Sequence, residues 1–262
     1  IRDRTAGDRL AFSVARDGAT LVAPSEMALT LSTGEVLGEA PAVRSARRRS
    51  VGETIEAPFH RQSRFDAAYN ELDLRLRGGY GVIARAYDEG VCYRFYTERD
   101  GELTIVDETA RLNFEGDPAA YVPYTHSKDP FQTSFESTYT YAPLSEFRKE
   151  PLAFMPLLVD LGERGYVLYS ESDVEAYPGI FLTYDAAARG LKACFAGIPS
   201  ATRNTKRFED VVTARTDRIA CVDGRRSYPW RIVGYAATAA ELPLNDMVYA
   251  TAAPSRVADV SW

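Results

Sequence analysis

The sequence predicts an all-β fold of antiparallel strands, a sandwich or a barrel, on three observations. Hydrophobic residues recur with a period of two along most of the chain. Turn signals interrupt them about every 8–12 residues. Aromatic residues, which suit strands, are abundant at 16 Tyr, 12 Phe and 2 Trp. The alternating strand–helix units that would build a parallel sheet are missing from this rhythm.

The elements follow in order. Leu10, Phe12 and Val14 alternate with polar neighbours, and the turn Arg-Asp-Gly-Ala leads to Leu21 and Val22. Met27, Leu29 and Leu31 alternate again before the turn Ser-Thr-Gly-Glu. Residues 35–64 are rich in charge and poor in alternation, and read as long connections with an edge strand. Leu72, Leu74 and Leu76 alternate up to the break at Gly78 and Gly79. Val82 to Tyr87 and Val91 to Tyr96 form a hairpin around Asp-Glu-Gly, and Asp100-Gly101 turns the chain into Leu103 to Val106. Tyr166 to Ser170 reads as a further strand. Helical signals are few: one turn over Thr238 to Leu242, and a loop or short helix over Asp185 to Gly190. The glycines at 78, 79 and 81 lack a following Gly-Lys-Ser/Thr and a helix, so they are a turn and not a phosphate loop.

Composition narrows the functional classes. A chain of 262 residues can bury a large core, and no Pro/Gly-rich linker divides it, so one domain over residues 1–262 is expected. The net charge of −6 gives no footprint for nucleic acid or anionic lipid. The basic cluster Arg44 to Arg49 has no interleaved aromatics and reads as a solvated loop. No apolar run approaches the roughly 18 residues of a membrane span. The chain opens on Ile-Arg-Asp-Arg and closes on Ser-Trp, which suggests a trimmed chain whose export signal has been removed and whose end is a domain boundary.

Cys92, Cys194 and Cys221 are far apart and have no zinc spacing, so buried free thiols are expected, with one intramolecular disulfide at most. Two histidines, His60 and His126, exclude a His-rich metal site, and neither lies in a nucleophile motif.

Two constellations could carry chemistry. Glu171, Asp173 and Glu175 project from one face if the strand from Tyr166 continues extended; in a helical turn Glu171 and Glu175 still share a face. Converging carboxylates suit a hard cation or an acid/base pair. Calcium takes about 6–8 oxygens, so a site here needs ligands from elsewhere. The plainer reading is a solvated turn before Pro178-Gly179. The second constellation is His126, Ser127, Lys128 and Asp129 with Phe131, Phe135 and Glu136, flanked by Tyr121, Tyr124, Tyr139 and Tyr141. Aromatic faces with scattered polar groups suit sugar rings. The alternative is that these rings are core residues and His126 an ordinary loop histidine.

Three segments together resemble glycoside hydrolase family 97, bacterial enzymes acting on α-glucosides and α-galactosides: YNELDLRLRGGYGVIARAYDEGVCYRFY (69–96), VLYSESDVEAYPGIFL (167–182) and PWRIVGYA…LPLNDMVYATAAPSRVADVSW (229–262). The resemblance implies an N-terminal β-super-sandwich, galactose-mutarotase-like, with few short helices, followed in the family by a catalytic β/α barrel that lies after residue 262. It implies a calcium-dependent, exo-acting α-glycosidase in which this domain packs on the barrel and is inactive alone. It also implies that Glu171 lends its carboxylate to a calcium ion shared with the barrel. Here Ser-Glu-Ser stands where the family commonly has Thr-Glu-Ala, which keeps the carboxylate. The implied partners are the barrel of the same polypeptide and an oligosaccharide substrate, and the implied location is periplasmic or secreted. The competing readings are a carbohydrate-binding module, a structural or interaction domain, and an aldose epimerase; the last lacks its histidine context here.

Overall fold

The computed structural model describes residues 8–148, 150–206 and 210–259. Seventeen strands follow in order: β1 (Ala11–Arg16), β2 (Ala19–Leu31), β3 (Val36–Leu37), β4 (Val43–Glu56), β5 (Arg64–Leu76), β6 (Tyr80–Tyr87), β7 (Gly90–Asn113), β8 (Ala119–Val122), β9 (Thr140–Pro143), β10 (Leu157–Asp160), β11 (Tyr166–Ser172), β12 (Phe181–Asp185), β13 (Gly190–Cys194), β14 (Pro199–Asn204), β15 (Asp210–Arg215), β16 (Ala220–Ser227) and β17 (Trp230–Ala236). Among the described residues the helical content is three short 3-10 turns and one short α-helix, α1 (Met247–Thr251). The fold is the expected all-β, antiparallel and sandwich-like one.

The strand β7 organises the fold because it serves both layers. Its first residues, from Gly90, pair with β6 on one side and β17 on the other. Its middle pairs with β16, and its last residues, up to Asn113, pair with β2 and β13. One layer therefore runs β4-β5-β6-β7-β17-β11-β10-β8-β9, and the other is built of β1, β2, β3, the far half of β7, β13 and β12. Period-two alternation sends one set of side chains from each layer inward. Leu29, Ile105, Leu112, Val159, Val167, Leu182 and Leu191 are fully enclosed there. Each such residue contributes about 1.5–3 kcal/mol of transfer free energy.

The hairpin between β6 and β7 depends on a glycine. Gly90 has φ +144°, and a Cβ there would sit 2.4 Å from the Val233 carbonyl oxygen, so only glycine admits β17 at this distance.

The opposite face of the first layer has a small core of its own. Cys92, Trp230, Ile232 and Met247 are buried together with Ile83 and Tyr87 beside them, and α1 supplies Met247 as the cover. Arg85 and Arg94 both stack on the Trp230 ring, at 4.8 and 4.4 Å from its centroid.

One local expectation changes and two are made specific. Arg44 to Arg49 is not a loop: it lies within β4, an edge strand of 14 residues paired to β5 from Val43↔Leu76 to Glu56↔Arg64. The side chains are solvated as expected, but backbone pairing to β5 overrides the weak alternation, and a row of arginines is a standard protection for an exposed edge. Asp185 to Gly190 closes the β12–β13 hairpin, with the Asp185 carboxylate accepting from the Ala187 and Ala188 amides. The turn near Thr238 is a 3-10 helix over Ala239–Leu244, and α1 after it carried no sequence signal. All three cysteines are free thiols, Cys92 among them buried. The closing Ser261-Trp262 lies outside the described residues.

Candidate functional site

β11 and β17 run antiparallel with Glu171 directly opposite Arg231, and both side chains enter the space between the layers. Glu108 reaches the same point from the half of β7 that pairs with β2, where its register partner is the enclosed Leu29. Arg231 donates from Nε to Glu108 Oε1 and from Nη2 to Glu108 Oε2, each at 2.8 Å. Its Nη1 donates to Glu171 Oε2 at 2.5 Å. The second oxygen of Glu171 accepts the Ile180 amide at 2.9 Å. Arg231 is 1% exposed, and the side chains of Glu108 and Glu171 are 4% and 13% exposed. The result is a buried Glu–Arg–Glu triad in which one planar guanidinium holds two carboxylates.

The electrostatics follow from the burial. Desolvation raises the Glu171 carboxyl above its ordinary value, against the pull of the Arg231 guanidinium. Arg231 is held well above its own ordinary value, with Glu108 and Glu171 outweighing the burial. Tyr169 and Tyr177 line the same region, and burial drives both phenols upward.

Beyond Ser172 the chain leaves the strand. Asp173 has φ +55° and Ala176 φ +49°, so residues 173–179 curl back over the triad. A Cβ on Gly179 would lie 3.3 Å from Glu171 Oε1, which shows how closely this turn covers the carboxylate. The shared face that an extended strand would have given Glu171, Asp173 and Glu175 therefore does not form, and the segment is a turn, as the plainer reading had it. Asp173 turns to the other face, where it meets Arg94 at 3.3 Å and accepts the Ala253 amide at 2.6 Å. Glu175 is exposed and pairs with Arg256. Each acid has its own arginine, and the left-handed residues between them break the shared face.

Whether Glu171 suits a metal is decided by its contacts. Each of its oxygens already accepts a hydrogen bond, one of them from a guanidinium that would repel a dication. Among the described residues no group of three or more His, Cys, Asp or Glu could hold a metal ion. With one hydrogen bond on each oxygen, the carboxylate keeps a lone pair on each for a further ligand, and a calcium ion there would draw its other ligands from outside the described residues.

The second constellation is partly core and partly surface. Tyr124 is buried, and Tyr121 packs on Tyr141 in a tilted pair with ring centroids 4.5 Å apart. Phe131 and Phe135 pack on Phe181, and Phe135 also packs on Phe154. Phe135, Tyr139 and Tyr141 remain exposed. His126 contacts Ser134 at 3.3 Å on the surface. His60 pairs with Asp246 at 2.7 Å and stacks on Tyr249. Arg61 also pairs with Asp246, so the pair joins the β4–β5 connection to α1.

Sequence reasoning reached Glu171 and missed Glu108 and Arg231. The signal was a charged residue at an inward register: Arg231 interrupts the apolar run Trp-Arg-Ile-Val, and Glu108 shares the phase of Ala110 and Leu112.

Comparisons with known proteins agree with this architecture. The family described as glycosyl-hydrolase 97 N-terminal matches residues 2–254. A retaining alpha-galactosidase from Bacteroides thetaiotaomicron is 37% identical over 266 residues, covering 98% of this chain and 40% of that protein. Among solved structures, a glycoside hydrolase family 97 enzyme in complex with acarbose, from Pseudoalteromonas sp. strain K8, superposes with a TM-score of 0.79 at 16% identity, over 98% of this chain and 37% of that one. A beta-arabinopyranosidase crystal structure gives a TM-score of 0.70 at 18% identity, over 89% of this chain and 37% of that one. These two structures speak for the fold, and the chain spans about two fifths of the length of the curated relative. With a family match over nearly its whole length, the chain belongs to the glycosyl-hydrolase 97 N-terminal family.

Proposed function

We propose that this chain is the non-catalytic N-terminal domain of an exo-acting α-glycosidase, with α-galactosides as the first substrate class to test and α-glucosides as the second. The observation that carries this reading is the asymmetry of coverage: 98% of this chain matches the retaining alpha-galactosidase, but only 40% of that protein is matched. The barrel of the complete polypeptide would hold the catalytic groups, since barrel enzymes place them on loops at the strand ends, where a neighbouring domain can pack. The sandwich offers a rigid platform for that barrel, and the oligosaccharide would be bound beside it. A periplasmic or secreted location belongs to the same proposal, as does a calcium ion shared between Glu171 and the barrel.

The test is hydrolysis of p-nitrophenyl α-galactoside and α-glucoside by the isolated chain and by the complete polypeptide. Activity in the complete polypeptide and silence in the isolated chain support the reading. Turnover by the isolated chain, or none by either with any α-glycoside, rejects it. Exposed Phe135, Tyr139 and Tyr141 favour a second reading, a carbohydrate-binding module. Saturable binding of an α-linked oligosaccharide by the isolated chain, abolished by Tyr139→Ala, would favour it.

A further inference from the structure

We propose that Phe135 is a sugar platform: in the complete polypeptide its ring stacks on the hexose at the leaving-group side of the oligosaccharide. This rests on the proposal that the complete polypeptide cleaves α-glycosides.

The backbone is the first sign. Phe135 has φ +59°, a left-handed conformation that a bulky side chain adopts only at a cost. The residue is still 57% exposed, so burial of its ring recovers only part of that cost. The ring is also held from behind. It meets the buried Phe154 edge to face with centroids 5.2 Å apart, and leans on the buried Phe181 at 6.0 Å. Phe131 packs on Phe181 as well, at 5.2 Å. The loop itself is pinned to the β14–β15 hairpin. Arg215 Nη2 donates to Asp129 Oδ2 at 2.8 Å, and Gln132 donates to the Asp210 carbonyl at 2.9 Å and accepts the Val212 amide at 3.1 Å. An exposed ring fixed in this way has little freedom left to lose when a ligand stacks on it.

The neighbouring chemistry suits a hexose. Ser134, adjacent in the chain, and His126 are both exposed, and their side chains lie 3.3 Å apart. A hexose offers C–H faces to an aromatic ring and hydroxyls that need donors and acceptors beside it. The place suits the leaving-group side. Phe181, on which the ring rests, follows Ile180, whose amide donates to Glu171 Oε1 at 2.9 Å. The platform and the acid proposed to serve the barrel thus meet at one short segment. An exo-acting barrel holds the terminal sugar among its loops, and the rest of the oligosaccharide protrudes to where a neighbouring domain can touch it.

The experiment uses the complete polypeptide. It compares kcat/KM for melibiose with kcat/KM for α-galactosyl fluoride, which has no sugar on its leaving side; maltose and α-glucosyl fluoride are the matching pair for α-glucosides. Phe135→Gly removes the ring and relieves the positive φ. The expected result is a fall of about tenfold in the disaccharide-to-fluoride ratio, with a thermal midpoint that does not drop. Phe135→Tyr keeps the ring and is expected to keep the ratio. An unchanged ratio in Phe135→Gly overturns the proposal, and a lowered midpoint beside it would mark the ring as a packing contact of the barrel. A ratio lost equally in Phe135→Tyr also overturns it. Turnover of none of these substrates by the unsubstituted polypeptide is a failure of the functional reading alone, and calorimetric titration with melibiose and maltose then decides the platform. Binding that Phe135→Gly loses supports it; binding that Phe135→Gly keeps, or none by the unsubstituted polypeptide, overturns it.

Discussion

Arg231 and Glu108 face each other across the two layers of the sandwich through a pair of parallel hydrogen bonds of 2.8 Å each. The two residues are 123 apart in sequence, and the contact joins β17 to the half of β7 that belongs with β2. A buried ion pair of this kind adds little compared with a well-packed apolar substitute, but losing one partner strands the other charge.

Arg231→Met is therefore expected to cost about 3–5 kcal/mol, because it leaves two carboxylates in the core with no counter-charge. Urea unfolding followed by tryptophan fluorescence reads this directly. Replacing Glu108 and Glu171 by glutamine together with Arg231→Met should recover part of the loss, since the orphaned charges are gone. A triple variant no more stable than Arg231→Met would show that the charges are not the cause.

Gly90→Ala should be among the most damaging single changes outside the triad. It adds a methyl 2.4 Å from the Val233 carbonyl oxygen and 2.8 Å from the Gly234 Cα, both backbone atoms that cannot swing aside. Together with the positive φ this predicts a loss of about 2 kcal/mol or more. The thermal midpoint of Gly90→Ala beside that of Gly101→Ala, also at positive φ but with open space around it, separates the clash from the dihedral cost.

Acid should weaken the β12–β13 hairpin. The Arg111 guanidinium holds the Asp185 carboxyl below its ordinary value, with the Ala187 and Ala188 amides acting in the same direction. A carboxyl whose folded value is depressed contributes stability above its unfolded value of about 3.9, and that contribution is lost as pH falls through the folded value. The denaturation midpoint of Asp185→Asn should lie below that of the unsubstituted chain at neutral pH and meet it in strong acid. A gap that persists at low pH would assign the effect to the turn and not to the charge.

Cys92 should resist thiol reagents in the native protein. It is buried beneath α1, and burial pushes its thiol up to about 12, so almost no thiolate exists at pH 8. A variant with Cys194→Ser and Cys221→Ser is expected to show no labelling while folded and one equivalent in denaturant. Rapid native labelling would mean that α1 opens readily from the sheet.

The sequence by itself determined the strand content, most hairpins and the candidate acid, because period-two alternation and turn residues are local and read directly along the chain. Motif resemblance placed the chain in its family and singled out Glu171. The destiny of that carboxylate was decided only by the tertiary structure. Its partner Arg231 lies 60 residues away and Glu108 is 123 residues from Arg231, and no local pattern states that β11 and β17 will align these two positions. The same limit explains β4: its arginines look like a solvated loop until β5 offers a full row of backbone partners. Side-chain direction is encoded locally, but which opposite charge stands at the end of it is a property of strand pairing and layer packing, and those are set by contacts far apart in the chain.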